Sequence, residues 1–175
     1  MINPFKRTYS EKEHRIFRFL GRIPLFEKLT SKEKSYFIPY LHLREYKQNE
    51  VVFFRKDPSH ALYIVKEGQV SLQLDIEDKF EELVRLRSGR SFGDNTLLEG
   101  THRIYSAICT VDKTEIYVLP QVNILDIFNE HPRVQAKMMS SLSEQYNIYQ
   151  DTLFKAYRSS FGFFDLGQIY IQKKK

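Results

Sequence analysis

The spacing of apolar side chains changes period twice along the chain, and each change predicts a different element. Ser10 stands three residues before Glu13, a capping-box pattern, and Ile16, Phe17, Phe19 and Leu20 follow at helical spacing before Gly21 and Pro24. A first helix is therefore predicted to end near Leu20. A second box, Thr30 to Glu33, precedes Tyr36, Phe37 and Ile38, with Pro39 near the end of a short helix. From Leu41 to Leu119 the period is two, with β-branched and aromatic residues in short runs. The pattern predicts strands near 41–46, 51–55, 61–66, 69–75, 81–87, 103–110 and 114–119. Turn residues separate them at Lys47-Gln48-Asn49, Lys56 to Ser59, Glu67-Gly68, Glu77-Asp78-Lys79, Ser88-Gly89 and Asp112-Lys113. Short strands at such regular spacing predict a barrel or roll.

Beyond Pro120 the period is helical again. Val122, Ile124, Leu125, Ile127 and Phe128 crowd a short helix that His131-Pro132 interrupts, and a long helix is predicted from Pro132 to about Arg158. Its stripe of Met138, Leu142, Tyr146, Tyr149, Leu153 and Tyr157 advances by three or four residues. The organisation read from these changes is a helical segment over 1–40, a roll over 41–119, helices over 120–160, and an apolar tail over 161–175 that ends in Lys173, Lys174 and Lys175. The aromatic tail is expected to dock, because large apolar side chains left in water lose their burial energy.

Composition narrows the function. No stretch approaches the roughly 20 apolar residues of a membrane span, and the N-terminus lacks a signal-like apolar run, so a cytoplasmic protein is expected. The net charge of +5 comes from bases interleaved with acids, as on a solvated mixed surface. Cys109 is the single cysteine and reads as a small buried hydrophobe. The histidines have no metal spacing, and no Walker loop, G-x-S-x-G or H-E-x-x-H pattern is present, so neither an enzyme nor a metal site is expected.

The chemistry concentrates in 91–107. Gly93 frees the backbone, Asp94 supplies a carboxylate, and Arg103 can fork onto a phosphate and cancel its charge. Such a set would suit a sugar phosphate; a structural pairing of Arg103 with Asp94 is the bland alternative. The segment Ser91-Phe92-Gly93-Asp94-Asn95-Thr96-Leu97-Leu98-Glu99-Gly100-Thr101-His102-Arg103-Ile104-Tyr105-Ser106-Ala107 resembles the phosphate-binding cassette of the cyclic nucleotide-binding domain family. In that family, which includes the cAMP receptor proteins and protein kinase A regulatory subunits, the pattern is approximately F-G-E-x-A-L-x, a few residues, then P-R-x-A. Ile23-Pro24-Leu25-Phe26 and Ala61-Leu62-Tyr63-Ile64-Val65-Lys66-Glu67-Gly68-Gln69-Val70 are similar to the family's entry and central hairpin.

The resemblance implies an α+β fold: a cyclic nucleotide-binding-type β-roll (a double-stranded β-helix, jelly-roll-like) with flanking N-terminal helices and a long C-terminal helix. It implies a sensor or regulatory domain that binds a cyclic nucleotide, cAMP in preference to cGMP, with no cofactor. Gly93, Asp94, Asn95, Thr96, Arg103 and Ile104 would form the ligand site. Asp94 would hold the ribose 2′-hydroxyl and Arg103 the phosphate, and Tyr146, Tyr149 and Gln150 would be the candidate lid over the base. The sequence departs from the pattern where a ligand is held: Asp94 for glutamate, Thr96 for alanine, His102 for proline, bulky Tyr105 for a small residue, and Lys56 and Ser59 for loop glycines. These departures suit the alternative, a degenerate domain that acts as a structural or protein-interaction module. A homodimer or a protein partner is expected along 132–158. DNA binding is not expected, because the residues beyond Arg158 are too few for a helix-turn-helix with its own core.

Overall fold

The computed structural model describes residues 9–76 and 79–161. Both capping boxes form. Ser10 caps α1 (Glu11–Leu20) and Thr30 caps α2 (Ser31–Ser35), in each case with the hydroxyl accepting from the N3 amide and the N3 glutamate accepting from the cap amide. The expected second helix is shorter than the apolar spacing suggested: it stops at Ser35, and Pro39 lies inside a separate 3₁₀ turn, Ile38–Tyr40. Another 3₁₀ turn, Pro24–Phe26, buries Leu25 and Phe26.

Among the described residues eight strands follow: β1 (His42–Tyr46), β2 (Val51–Phe53), β3 (Ala61–Glu67), β4 (Gln69–Ile76), β5 (Lys79–Arg87), β6 (Ser91–Phe92), β7 (Ser106–Cys109) and β8 (Thr114–Pro120). They form two antiparallel four-stranded sheets, ordered β1-β8-β3-β6 and β2-β7-β4-β5. Two corrections to the predicted strands matter for the site. The strand expected over 103–110 begins only at Ser106, because the chain bends at Ile104 and Tyr105. β6 was not predicted; at two residues it is too short to show alternation, yet it pairs Phe92 with Tyr63 and Ser91 with Ile64.

Between the sheets lie Phe53, Ala61, Val65, Val70, Leu72, Phe92, Ala107, Cys109, Ile116 and Val118. Burial pushes the Cys109 thiol up to about 11, with Glu50 adding to the effect, so it remains a protonated, apolar-like group at neutral pH. β3 is buried on both faces: Ala61 and Val65 join the core between the sheets, while Leu62 and Ile64 are buried on alternate positions. α3 (Gln121–Glu130) contacts β8, and Phe19 of α1 meets Tyr117 of β8 with ring centroids 5.9 Å apart.

The chain divides into two compact units, Met1–Ser141 and Leu142–Lys175. α4 (Pro132–Phe161) begins in the first, where Lys137 bonds both carboxylate oxygens of Glu33 at 2.7 and 2.8 Å and Lys28 donates to Ser140. In the second unit α4 exposes Tyr146, Ile148, Tyr149 and Leu153. The tail expected to dock, from 162 onward, lies outside the described residues.

Candidate functional site

The cassette begins where β6 ends. Gly93 adopts φ +70°, a conformation that costs an L-residue strain, and it delivers the chain into the 3₁₀ turn Asp94–Leu97. A Cβ at Gly93 would also collide with Nη1 of Arg103, so glycine is required twice over. From there the turn is tied down at almost every residue. Thr96 Oγ1 donates to the Ser59 carbonyl at 2.9 Å, Ser59 Oγ donates to Asn95 Oδ1 at 2.9 Å, and Asn95 Nδ2 donates to the His102 carbonyl at 2.7 Å. Gln121 at the start of α3 donates to the carbonyls of Thr96 and Leu98.

Lys56 occupies one of the two positions where the resemblance led us to expect glycine. It sits at φ +72°, so the loop keeps a left-handed residue although a lysine now fills it. Its amide donates to the Arg103 carbonyl and the Arg103 amide donates to the Asp57 carbonyl, which together hold the loop against the arginine's backbone. Ser59, the other such position, is buried and contributes the hydroxyl that holds Asn95.

Arg103 is 3 % exposed. Its Nη2 donates to the Ala61 carbonyl at 2.6 Å and its Nη1 to the Gly93 carbonyl at 3.1 Å. The guanidinium lies 4.3 Å from the centroid of the Phe53 ring and 5.4 Å from that of Tyr63, cation–π distances. Among the described residues no carboxylate lies within ion-pairing distance of it, and its buried Nε has no hydrogen-bond partner. Burial disfavours its charged form and pulls its pKa down, against the opposing influence of Tyr63, Tyr105 and Asp57.

Asp94 has an Oδ2 that is buried and without a hydrogen-bond partner among the described residues. Burial raises its pKa above the ordinary aspartate range, and a hydrogen bond with its own backbone and, less, the field of Arg103 only partly offset this. The alternative reading, a structural pairing of Arg103 with Asp94, therefore amounts to an influence through space and not to a contact. One cassette holds a buried cation and a buried carboxylate oxygen that satisfy neither each other nor all of their own atoms.

Of the residues predicted for the site, Gly93, Asp94, Asn95, Thr96 and Arg103 come together here. Ile104 is 67 % exposed and lies at the bend. Tyr146, Tyr149 and Gln150 lie on α4 in the second unit. Sequence reasoning passed over Phe53, Tyr63, Ser59 and Gln121 as site residues. Nothing in a strand's alternation distinguishes a ring that will face a guanidinium from an ordinary core aromatic. Tyr105 was noted only for its bulk, but its hydroxyl accepts from the Gly93 amide at 2.9 Å.

Residues 43–131, more than half of the chain, match the family model of the cyclic nucleotide-binding domain. The chain belongs to the cyclic nucleotide-binding domain family. Over 79 % of its length it is 30 % identical to a protein of Rhodopseudomonas palustris assigned as a potassium channel protein, covering 33 % of that protein. It is 29 % identical over 70 % of its length to a cyclic AMP receptor protein of Thermus thermophilus, covering 56 % of it. The chain thus spans about a third to about half of these relatives. The crystal structure of the Thermus thermophilus catabolite activator protein superposes with a TM-score of 0.65 at 28 % identity, over 76 % of this chain and 62 % of that one. The β-roll with flanking helices and a long C-terminal helix is the fold of this family, and the cassette described above lies inside the matched segment. No helix among the described residues is long and apolar enough to cross a membrane.

Proposed function

We propose that this domain is a non-enzymatic ligand sensor that binds a cyclic nucleotide, with cAMP the first candidate, between Arg103 and Asp94. One observation carries the reading: the cassette holds buried Arg103 and half-buried Asp94 without an ion pair between them, and each has a buried polar atom, Nε of Arg103 and Oδ2 of Asp94, lacking a partner among the described residues. A buried charge without a counter-charge is costly, and an anionic ligand removes that cost. A phosphate would accept from the guanidinium, and a ribose 2′-hydroxyl would donate to the Asp94 carboxylate. The naming of relatives as a cyclic AMP receptor protein and cAMP-dependent protein kinase regulatory subunits supports cAMP as the nucleotide to try first.

Tyr146, Tyr149 and Gln150 remain the candidates for contact with the base. The exposed stripe of Tyr146, Ile148, Tyr149 and Leu153 supports self-association along α4. A second reading, a module that works by protein contact alone, is favoured by Tyr105, whose hydroxyl already occupies the Gly93 amide.

Calorimetric titration with cAMP and cGMP decides between them. Saturable binding with cAMP preferred is expected, and Arg103→Lys is expected to weaken it at least about tenfold, because a point charge replaces a bidentate fork. Asp94→Glu is expected to tighten it by restoring the longer carboxylate. A folded wild type and a folded Asp94→Glu variant that both fail to saturate at millimolar cAMP would establish the interaction-module reading.

A further inference from the structure

Arg103 and Tyr105 hold the two peptide units on either side of the Gly93 Cα, one by its carbonyl and one by its N–H. Nη1 of Arg103 donates to the Gly93 carbonyl at 3.1 Å, and the Tyr105 hydroxyl accepts from the Gly93 amide at 2.9 Å. Ile104, between them, is 67 % exposed. The Tyr105 ring packs against the core between the sheets, with its centroid 5.9 Å from that of Phe53, the ring whose face carries the Arg103 guanidinium. Phe53 in turn lies 5.4 Å from Tyr63 and 5.9 Å from Phe92, and Tyr63 stacks on Phe92 at 5.2 Å. Tyr105 therefore belongs to the wall of rings around the buried cation.

We propose that Tyr105 is an internal gate on the cassette, occupying the Gly93 amide with its own hydroxyl and giving way when a ligand brings an oxygen to take its place. The proposal rests on the reading of Arg103 and Asp94 as the ligand site. Asp94 follows Gly93 directly, and Arg103 is bonded to the Gly93 carbonyl, so a ligand that reaches both groups comes next to the Gly93 N–H that Tyr105 caps. A swing of Tyr105 would break no strand pairing. β7 begins at Ser106, so Tyr105 itself lies in the bend ahead of the ladder, and a tyrosine changes rotamer about two torsions. The gate also imposes a chemical demand. An N–H left without an acceptor in a buried site is costly, so the ligand that displaces Tyr105 must carry an acceptor oxygen, as a ribose hydroxyl or a phosphate does.

Tyr105→Ala and Tyr105→Phe test the gate in the full chain, with cAMP as the probe. Tyr105→Phe keeps the ring and removes the acceptor. Amide exchange at Gly93 is expected to rise about fivefold in this variant without any ligand, as the loss of one ordinary hydrogen bond implies, and unchanged exchange would overturn the proposal. Tyr105→Ala is expected to bind cAMP at least about tenfold more tightly than wild type; mere structural damage would loosen binding. If Tyr105→Ala binds and wild type does not, the gate stands and the native protein is not a cAMP sensor under these conditions. Equal or weaker binding by a folded Tyr105→Ala overturns the gate while leaving the sensor reading in place. Failure of both proteins to bind overturns the two together.

Discussion

Asp94 carries a penalty in the folded protein that its sequence neighbours do not announce. Burial raises its pKa, so the folded state holds its proton more tightly than the unfolded chain does. At pH values below the ordinary aspartate pKa both states are protonated and the residue costs nothing. As pH rises through the ordinary value and on through the raised one, the unfolded chain ionises first and stability is lost. Asp94→Asn is therefore expected to stabilise the ligand-free protein at neutral pH by about 1 kcal/mol, the scale of burying a poorly satisfied polar group. The gain should fade as the pH is lowered through the aspartate range. Thermal melts of both proteins across that range provide the check, and a gain independent of pH would show that charge is not the cause. Such a cost fits a residue kept for binding, since groups placed for a ligand are often poorly satisfied without one.

At the scale of elements, the loop between β2 and β3 and the bend before β7 together shape the cassette. The loop keeps a left-handed residue at Lys56, and its amide reaches the Arg103 carbonyl. Glycine at this position would adopt the same conformation without the Cβ crowding that lysine incurs, although it would lose more entropy on folding. Lys56→Gly is expected to raise stability by about 1 kcal/mol, measured by urea denaturation, while leaving cAMP affinity within about twofold because the Lys56 side chain is exposed. Affinity lost along with gained stability would mean that the lysine itself meets the ligand. α3 is joined to the same region through Gln121, whose amide donates to two carbonyls at the end of the 3₁₀ turn, and α2 is joined to α4 through Glu33 and Lys137. Burial alone would raise the Glu33 pKa, but bonds from Lys137 and from the Thr30 amide and hydroxyl outweigh it and hold the carboxyl below its usual range.

For the molecule as a whole, the stripe read from the sequence of the long helix divides by burial. Met138 and Leu142 are buried, whereas Tyr146, Tyr149 and Leu153 are exposed, and Ile148 joins them. An apolar face of this size on a charged helix is expected to find a second copy, so the protein should run as a dimer in light scattering. Leu153→Glu together with Ile148→Glu should yield monomers without a large loss of thermal stability, because both side chains are exposed in the single chain. A mass independent of concentration that matches one chain, for wild type, would exclude association through this face.

Much of this architecture could be read from the sequence because it follows from local rules. Capping boxes at Ser10 and Thr30, period-two runs with turn residues between them, and a proline at the start of the last long helix act within a few residues, so their outcomes could be read directly. The spacing from Gly93 and Asp94 to Arg103 likewise identified the cassette, because those residue types suit an anion and resemble a known pattern. Tertiary structure decided what pattern could not. β6 exists because Tyr63 and Ile64 supply partners to a two-residue segment, and the strand expected at 103 starts at Ser106 because Arg103 and Tyr105 turn inward onto Gly93. Whether Arg103 would meet Asp94, backbone carbonyls or aromatic faces depended on groups more than 40 residues away in the chain, among them Ala61 and Phe53. A sequence records which charges are present; only the folded chain determines which of them are left unpaired.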